Sequence, residues 1–195
     1  MLGAIQLKTS IMQTTATNNK TKWKIDQSYS MITFKIKHLM ISNVSGLFKE
    51  FGGSIYTTDE DFISSEIDCW INPASIDTGD PKRDEHIKGP DFFDAANYPQ
   101  IIFTGNTYEK ADTWGTYELY GELTIKGTSK QIKLMVEFGG VVKDPWGNHK
   151  AGFTISGTIN RKDWGLNWDT LLDNGVIFLN DTVKISCEVQ LIKQG

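Results

Sequence analysis

Cysteine is scarce, with two in 195 residues, Cys69 and Cys187, and neither belongs to a CxxC or a Cys/His cluster. That excludes the dense, regularly spaced framework of a small disulfide-stapled domain, and zinc ribbons as well. Histidine is nearly as rare: His38, His86 and His149 form no HExxH or HxH pattern, so a metal centre has no support. Neither GxGxxG nor GxxxxGK[ST] occurs, which removes the usual nucleotide cradles, and no cofactor is expected. No apolar run approaches the roughly 20 residues that carry a helix across a bilayer, so no integral membrane segment is expected. Basic residues are not in excess, at 20 Lys+Arg against 24 Asp+Glu and a net charge of −4. Nucleic-acid affinity rests on neutralising phosphates, so that class of partner is set aside too.

What is present is one-faced alternation. Ile32, Phe34, Ile36 and His38 share a face, with Thr33, Lys35 and Lys37 on the other. The pattern returns at Leu119, Gly121, Leu123 and Ile125, at Ile132, Leu134, Val136 and Phe138, at Ala151, Phe153, Ile155 and Gly157, and from Val183 to Leu191. Period 2 of this kind marks antiparallel strands with one buried and one wet face. Adding segments 22–26, 48–57, 63–72 and 101–108 predicts about nine strands. Two long interruptions, 73–99 and 161–181, leave room for one or two short helices. Many strands with one interior face each and two long end loops point to a barrel or a sandwich; an eight-stranded barrel would remove the sheet edges and leave space for one small ligand. Large and small residues alternate inside (Phe34, Phe103 and Phe153 with Gly105, Gly121 and Gly157), a mixture that fits a filled core and a hollow one equally. If hollow, Gly121 is the position where added bulk should narrow it. Cys69 and Cys187 replace hydrophobes in the inward phase and are expected to be buried, unpaired thiols.

Chemistry concentrates in two places. His38 continues an apolar strand face, which would put a polar ring at a barrel mouth, as a head-group ligand, a base, or a ring satisfied by a backbone carbonyl. The densest polar segment is Asp77 to His86 in the longer loop. It reads either as an Asp84–His86 acid/base pair or as a loop clamped by an Arg–carboxylate pair and N-cap aspartates, the second being favoured. No nucleophile motif stands beside it.

These residues carry a resemblance. Trp23 to Asp26 with Ser30 leads into Ile32 to His38 and Gly46 to Phe48, followed by Ser75 to Thr78 and Arg83 to Ile87. Asp91 to Asp94, Tyr98 with Pro99, Gly121 to Gly127 and Gly157 to Leu166 follow in order. The ordered set resembles the YceI-like family of polyisoprenoid-binding proteins over most of residues 21–195. The resemblance implies an all-β, lipocalin-like antiparallel barrel of eight strands plus an extra strand, with short helices in the long loops. It implies a hollow interior holding an isoprenoid-type lipid, a polyprenyl phosphate or a quinone tail, without catalysis. The ligand-binding set is then His38, Arg83, Asp84 and His86 at the polar end and Phe92 and Phe93 beside them. Phe34, Ile36, Phe103, Leu119, Leu123, Leu134, Val136 and Phe153 would line the tail. Two other classes stay open: an enzyme on an apolar isoprenoid or ester with His38 or His86 as acid/base, and a filled barrel serving as an interaction module. Trp70 and Tyr120 fall on wet faces, which leaves a homodimer surface open. Residues 1–20 have no counterpart in the family and read as a flexible arm before a single domain, 21–195. Met1 to Leu7 carry no basic residue, so a cytoplasmic location is expected, or a periplasmic one if a leader has been removed.

Overall fold

The computed structural model describes residues 20–58, 62–111, 115–169 and 178–195. The arm assigned to residues 1–20 therefore lies outside the described residues, except for Lys20. Eleven strands and one α-helix follow in chain order: β1 (Thr21–Ile25), β2 (Met31–His38), β3 (Ser42–Phe48), β4 (Phe51–Thr57), β5 (Glu66–Ile71), β6 (Ile76–Asp77), α1 (Pro81–Lys88), β7 (Ile101–Lys110), β8 (Thr116–Ile125), β9 (Thr128–Lys143), β10 (His149–Asn160) and β11 (Leu179–Lys193). Strands β1, β4, β5, β7, β8, β9, β10 and β11 form a ring that closes through the β1–β11 pairing, while β2, β3 and β6 extend from β11. Among the described residues no helix is long and apolar enough to cross a membrane.

The extra strands arise because long ribbons bend. Near its end β11 pairs with β1, at Trp23↔Lys193, and earlier it pairs with β2, at Ile185↔Phe34. Between them the chain turns at Asp26, whose carboxylate accepts from Ser28 N and caps a 3-10 turn at Gln27–Tyr29. The Ser30 hydroxyl then accepts from Gln190 N at 2.9 Å, pinning the bend to β11. Likewise only Lys49 and Glu50 separate β3 from β4, and the two pair with β2 and β1 respectively. The expected strand at 48–57 is thus the second half of a bent ribbon. Its first half, β3, carries no clean alternation in Ser42, Asn43, Val44, Ser45 and Gly46 and so has no strand signal in the sequence. The bends of these two ribbons carry β2 and β3 out of the ring, so β6, paired to β3, ends the sheet and α1 packs beside it.

The inward phase matches the alternation. Ile36, Leu119, Leu123, Leu134 and Val136 are buried, whereas Lys35 and Glu122 are exposed. One end is plugged: Trp23, Ile55, Phe62, Ala151 and Leu191 form a buried cluster. There the Phe62 ring meets Trp23 and Phe153 at centroid distances of 5.1 Å each. Elsewhere inside the barrel, Ile32, Phe34, Ile67, Phe103, Phe153 and Ile155 stay only half-buried although they point inward. A filled core would have covered them. The β2–β3 hairpin turns through Leu39 (φ 51°) and Met40 (φ 58°), both left-handed. Such a turn normally takes Asn-Gly, and each bulky L-residue there costs about 1–2 kcal/mol.

Candidate functional site

Among the described residues the interior shows two adjacent apolar spaces. The outer one, of about 700 Å³, lies between β2 and β3 on one side and α1 with the loop after it on the other. The inner one, of about 160 Å³, runs toward the plugged end. Ile32, Ile71, Ile101, Leu123 and Ile185 line both, and this shared wall is the neck where the two spaces adjoin.

Most of the expected residues face these spaces. Phe34, Ile36, His38, Arg83, His86, Phe92, Phe93 and Leu123 line the outer cavity. Phe103, Leu119, Leu134, Val136 and Phe153 line the inner one, together with Leu123. Asp84 is the exception and corrects the expected set. Its side chain is buried and turned to the loop before α1, where it accepts from Thr78 N at 2.9 Å and from the Thr78 hydroxyl. Gly121 lines neither space. A Cβ there would meet Phe103 Cζ and the Thr104 carbonyl oxygen at 2.5 Å, so bulk at Gly121 would distort the wall instead of narrowing the cavity.

Local chemistry holds the mouth. Asp80 caps α1, accepting from Lys82 N and Arg83 N, and Pro81 sits at the first turn, where its missing N–H costs nothing. These two amide bonds hold the Asp80 carboxyl below the ordinary carboxylate range. Arg83 donates from Nε to the Thr78 hydroxyl and from Nη2 to the Thr78 carbonyl, both at 2.7 Å. The clamp foreseen as an Arg–carboxylate pair is therefore built around Thr78, with Arg83 and Asp84 gripping it from two sides. His86 pairs through Nε2 with Asp91 at 3.1 Å and not with Asp84. Its ring stands edge-on to Phe92 and Trp168. His38 packs edge-on against Phe178 at 4.5 Å, and its imidazole makes no hydrogen bond to a described residue.

Three features of the mouth carried little signal in the sequence. Trp168 and Phe178 line the outer cavity from irregular chain, outside any alternation. Arg161, 2% exposed, sits where β10 ends and lines the same space. It donates to the carbonyls of Leu166, Trp168, Asn180 and Leu179 and to Asp181. Burial pulls its pKa down, while Asp181 and Asp169 oppose the shift.

Cys69 and Cys187 are both free and line the inner cavity. They are half-buried by surface, yet the surface they show faces the void, with protein around it. Burial pushes each thiol up to about 12. Relative to an ordinary thiol, that shift lowers the reactive thiolate fraction by roughly a thousandfold at neutral pH. Titration with a thiol-specific disulfide reagent should show both cysteines reacting more than about a hundredfold slower than free cysteine, and at the free rate once the protein is unfolded. Fast modification in native buffer would show that the interior opens.

The comparisons with known proteins agree with this architecture. The model of the YceI-like domain matches residues 23–191. The chain belongs to the YceI-like family. A UPF0312 protein of Staphylococcus epidermidis is 37% identical over 171 residues, covering 87% of this chain and 96% of its own length. The solved YCEI protein of Campylobacter jejuni is 35% identical with a TM-score of 0.67, over 82% of this chain and 90% of that one. A polyisoprenoid binding domain from Saccharophagus degradans, implicated in plant cell wall breakdown, shares the YceI-like fold at 16% identity. Its TM-score is 0.64, over 88% of this chain and 98% of that domain.

Proposed function

We propose that this barrel binds an isoprenoid-type lipid without catalysis, as a carrier or store, with the tail inside and the head near His38, Arg83 and His86. The observation that carries the reading is the interior itself: an apolar space of about 700 Å³ adjoined, across a shared wall of five residues, by a second of about 160 Å³. Its lining is polar chiefly at one mouth, and the first volume lies within the range of small-molecule sites. The His38 imidazole, which makes no hydrogen bond to a described residue, is available to a head group, as are the Arg83 donors that Thr78 does not use. Membership of the YceI-like family and the polyisoprenoid-binding fold relative support the same ligand class.

The energetics divide along the ligand. Each methylene taken from water contributes about 0.8 kcal/mol, so the tail supplies most of the affinity. A charge-assisted head contact adds about 1.5–3 kcal/mol. Mass spectrometry of lipids extracted from undenatured protein should therefore find prenyl compounds at near-stoichiometric amounts. In titrations with a matched prenyl phosphate and prenyl alcohol, Arg83→Ala should weaken the phosphate about tenfold and leave the alcohol nearly unchanged. Equal losses for both would mean that Arg83 acts only by holding Thr78. No binding of either ligand by the parent protein would remove the lipid reading.

A further inference from the structure

At the rim of the mouth the β2–β3 hairpin carries an unusual tip. Met40 is 47% exposed and Ile41 84%, adjacent in sequence and both apolar. The residues on either side of the tip, His38 and Ser42, line the outer cavity. The tip is also built against its own backbone preference, since Leu39 and Met40 occupy left-handed conformations that Asn and Gly adopt freely. It is nonetheless ordered: Leu39 N donates to the Phe178 carbonyl at 2.9 Å, and Ile41 N to the His38 carbonyl at 3.2 Å. Stability alone would select other residues here, so large apolar side chains at this position point to something outside the molecule.

The charges around the tip indicate what that is. The carboxylates of the mouth are already engaged. Asp80 caps α1, Asp84 holds Thr78, Glu85 pairs with Lys88 at 2.9 Å, and Asp91 pairs with His86. Across β11, Asp181 is taken by Arg161 and Lys162. By contrast Lys37, facing Asn43 across the hairpin, and Lys82 on α1 are exposed and have no ion-pair partner among the described residues. An apolar wedge with Lys37 at the hairpin and Lys82 on the α1 side of the mouth, neither ion-paired to a described residue, fits the interface of an anionic bilayer, where apolar burial and headgroup attraction add.

We propose that the 39–41 hairpin tip docks the protein, mouth first, on a lipid bilayer containing anionic headgroups. The inference rests on the lipid-binding reading, because docking there sets the cavity entrance against the phase from which a tail would come. The same tip would then serve as a doorstep: contact at Met40 and Ile41 places His38 and Ser42, the cavity lining, directly at the headgroup layer.

Flotation of the full chain with vesicles of phosphatidylethanolamine and phosphatidylglycerol tests this, with no prenyl compound added. The parent should float with the vesicles, less so as salt rises or when phosphatidylglycerol is omitted. The double variant Met40→Asp/Ile41→Asp should lose about tenfold or more in partitioning. Leu39→Asn/Met40→Gly should lose flotation as well while raising Tm by a few degrees, which separates docking from folding. Trp146 is the control: it is 81% exposed in the β9–β10 turn, at the end of β10 remote from Arg161 and the mouth. Trp146→Ser should float like the parent. The proposal is overturned if the parent does not float, if the aspartate variant floats as the parent does, or if Trp146→Ser removes flotation. Tip-dependent dimers in sedimentation without flotation would overturn it too, and assign the tip to a second copy of the chain. Prenyl alcohol binding in vesicle-free buffer is read in parallel. Binding by the parent and both tip variants without flotation would sink the docking proposal alone, and flotation without prenyl binding would sink the lipid reading alone.

Discussion

Replacing Arg161 with methionine is expected to lower the unfolding free energy by about 3–5 kcal/mol, a large part of what holds a domain of this size together. Methionine fills a comparable volume but supplies no donor. It would orphan the carbonyls of Leu166, Trp168, Leu179 and Asn180, which now receive guanidinium N–H bonds at 2.5–3.2 Å. Each buried acceptor left without a partner costs about 1–3 kcal/mol, and Asp181 and Asp169 would lose their buried counter-charge. The loss should extend to binding, because Leu166, Trp168 and Leu179 line the outer cavity and depend on Arg161 for their position. Urea unfolding monitored by tryptophan fluorescence gives the measurement. Arg161→Lys, which keeps the charge but not the planar fork, should fall between parent and methionine variant. A change below about 1 kcal/mol would show that water replaces the guanidinium without difficulty.

The second large effect is expected at the neck. Ile185→Trp places an indole where the two cavities meet, against Ile32 and Leu123 across the interior. Because Ile185 is only half-buried beside a void, the fold should absorb the added bulk at a cost of about 1–3 kcal/mol. Ligand binding should respond according to tail length. Every five-carbon unit kept out of the inner cavity forfeits about 4 kcal/mol of transfer free energy, so a long prenyl chain should bind at least about a hundredfold more weakly. A chain short enough to end in the outer cavity should be affected threefold or less, on the order of 0.6 kcal/mol. Isothermal titration with prenyl alcohols of increasing length would trace the break. If long and short chains weakened alike, the tail would not pass the neck, and the inner cavity would be no part of the site.

Strand faces were legible in the sequence because side-chain direction along a strand is fixed by the backbone. Phe34, Ile36, Leu119, Leu123, Leu134, Val136 and Phe153 could therefore be placed inside with no knowledge of their neighbours. The bends between β1 and β2 and between β3 and β4 were not legible: the first depends on Ser30 meeting Gln190, 160 positions away, and the second on Lys49 N and Glu50 N donating to Ser75. Hollowness was not legible either: Phe34 and Phe153 read the same whether packed by another side chain or facing a void. At the mouth, the family resemblance pointed to Arg83, Asp84 and His86; Arg83 and His86 line the outer cavity, whereas Asp84 turns to Thr78, a contact that an aspartate inside a polar run does not announce. Trp168 and Phe178 belong to irregular chain, where no period assigns a direction. Their place follows only from the rings of His38 and His86 against which they pack.

The pairing of β11 with β10, β1 and β2 has a consequence for biosynthesis. This last strand closes the ring, joining Ala151 and Phe153 on one side to Trp23 and Phe34 on the other through Leu191, Val189, Lys193 and Ile185. During translation the edges of β10 and of the β1–β2 ribbon therefore remain open until the final strand leaves the ribosome. Their inward faces, destined to line the cavities, meanwhile stand in water. A nascent chain with two unpaired edges and an uncovered apolar interior is prone to strand exchange with its neighbours, and the long-range closure makes the final step slow. A hydrophobic ligand present at that moment would shield the exposed interior and favour closure around itself. With such a ligand, the seam would couple the order of synthesis to the filling of the barrel.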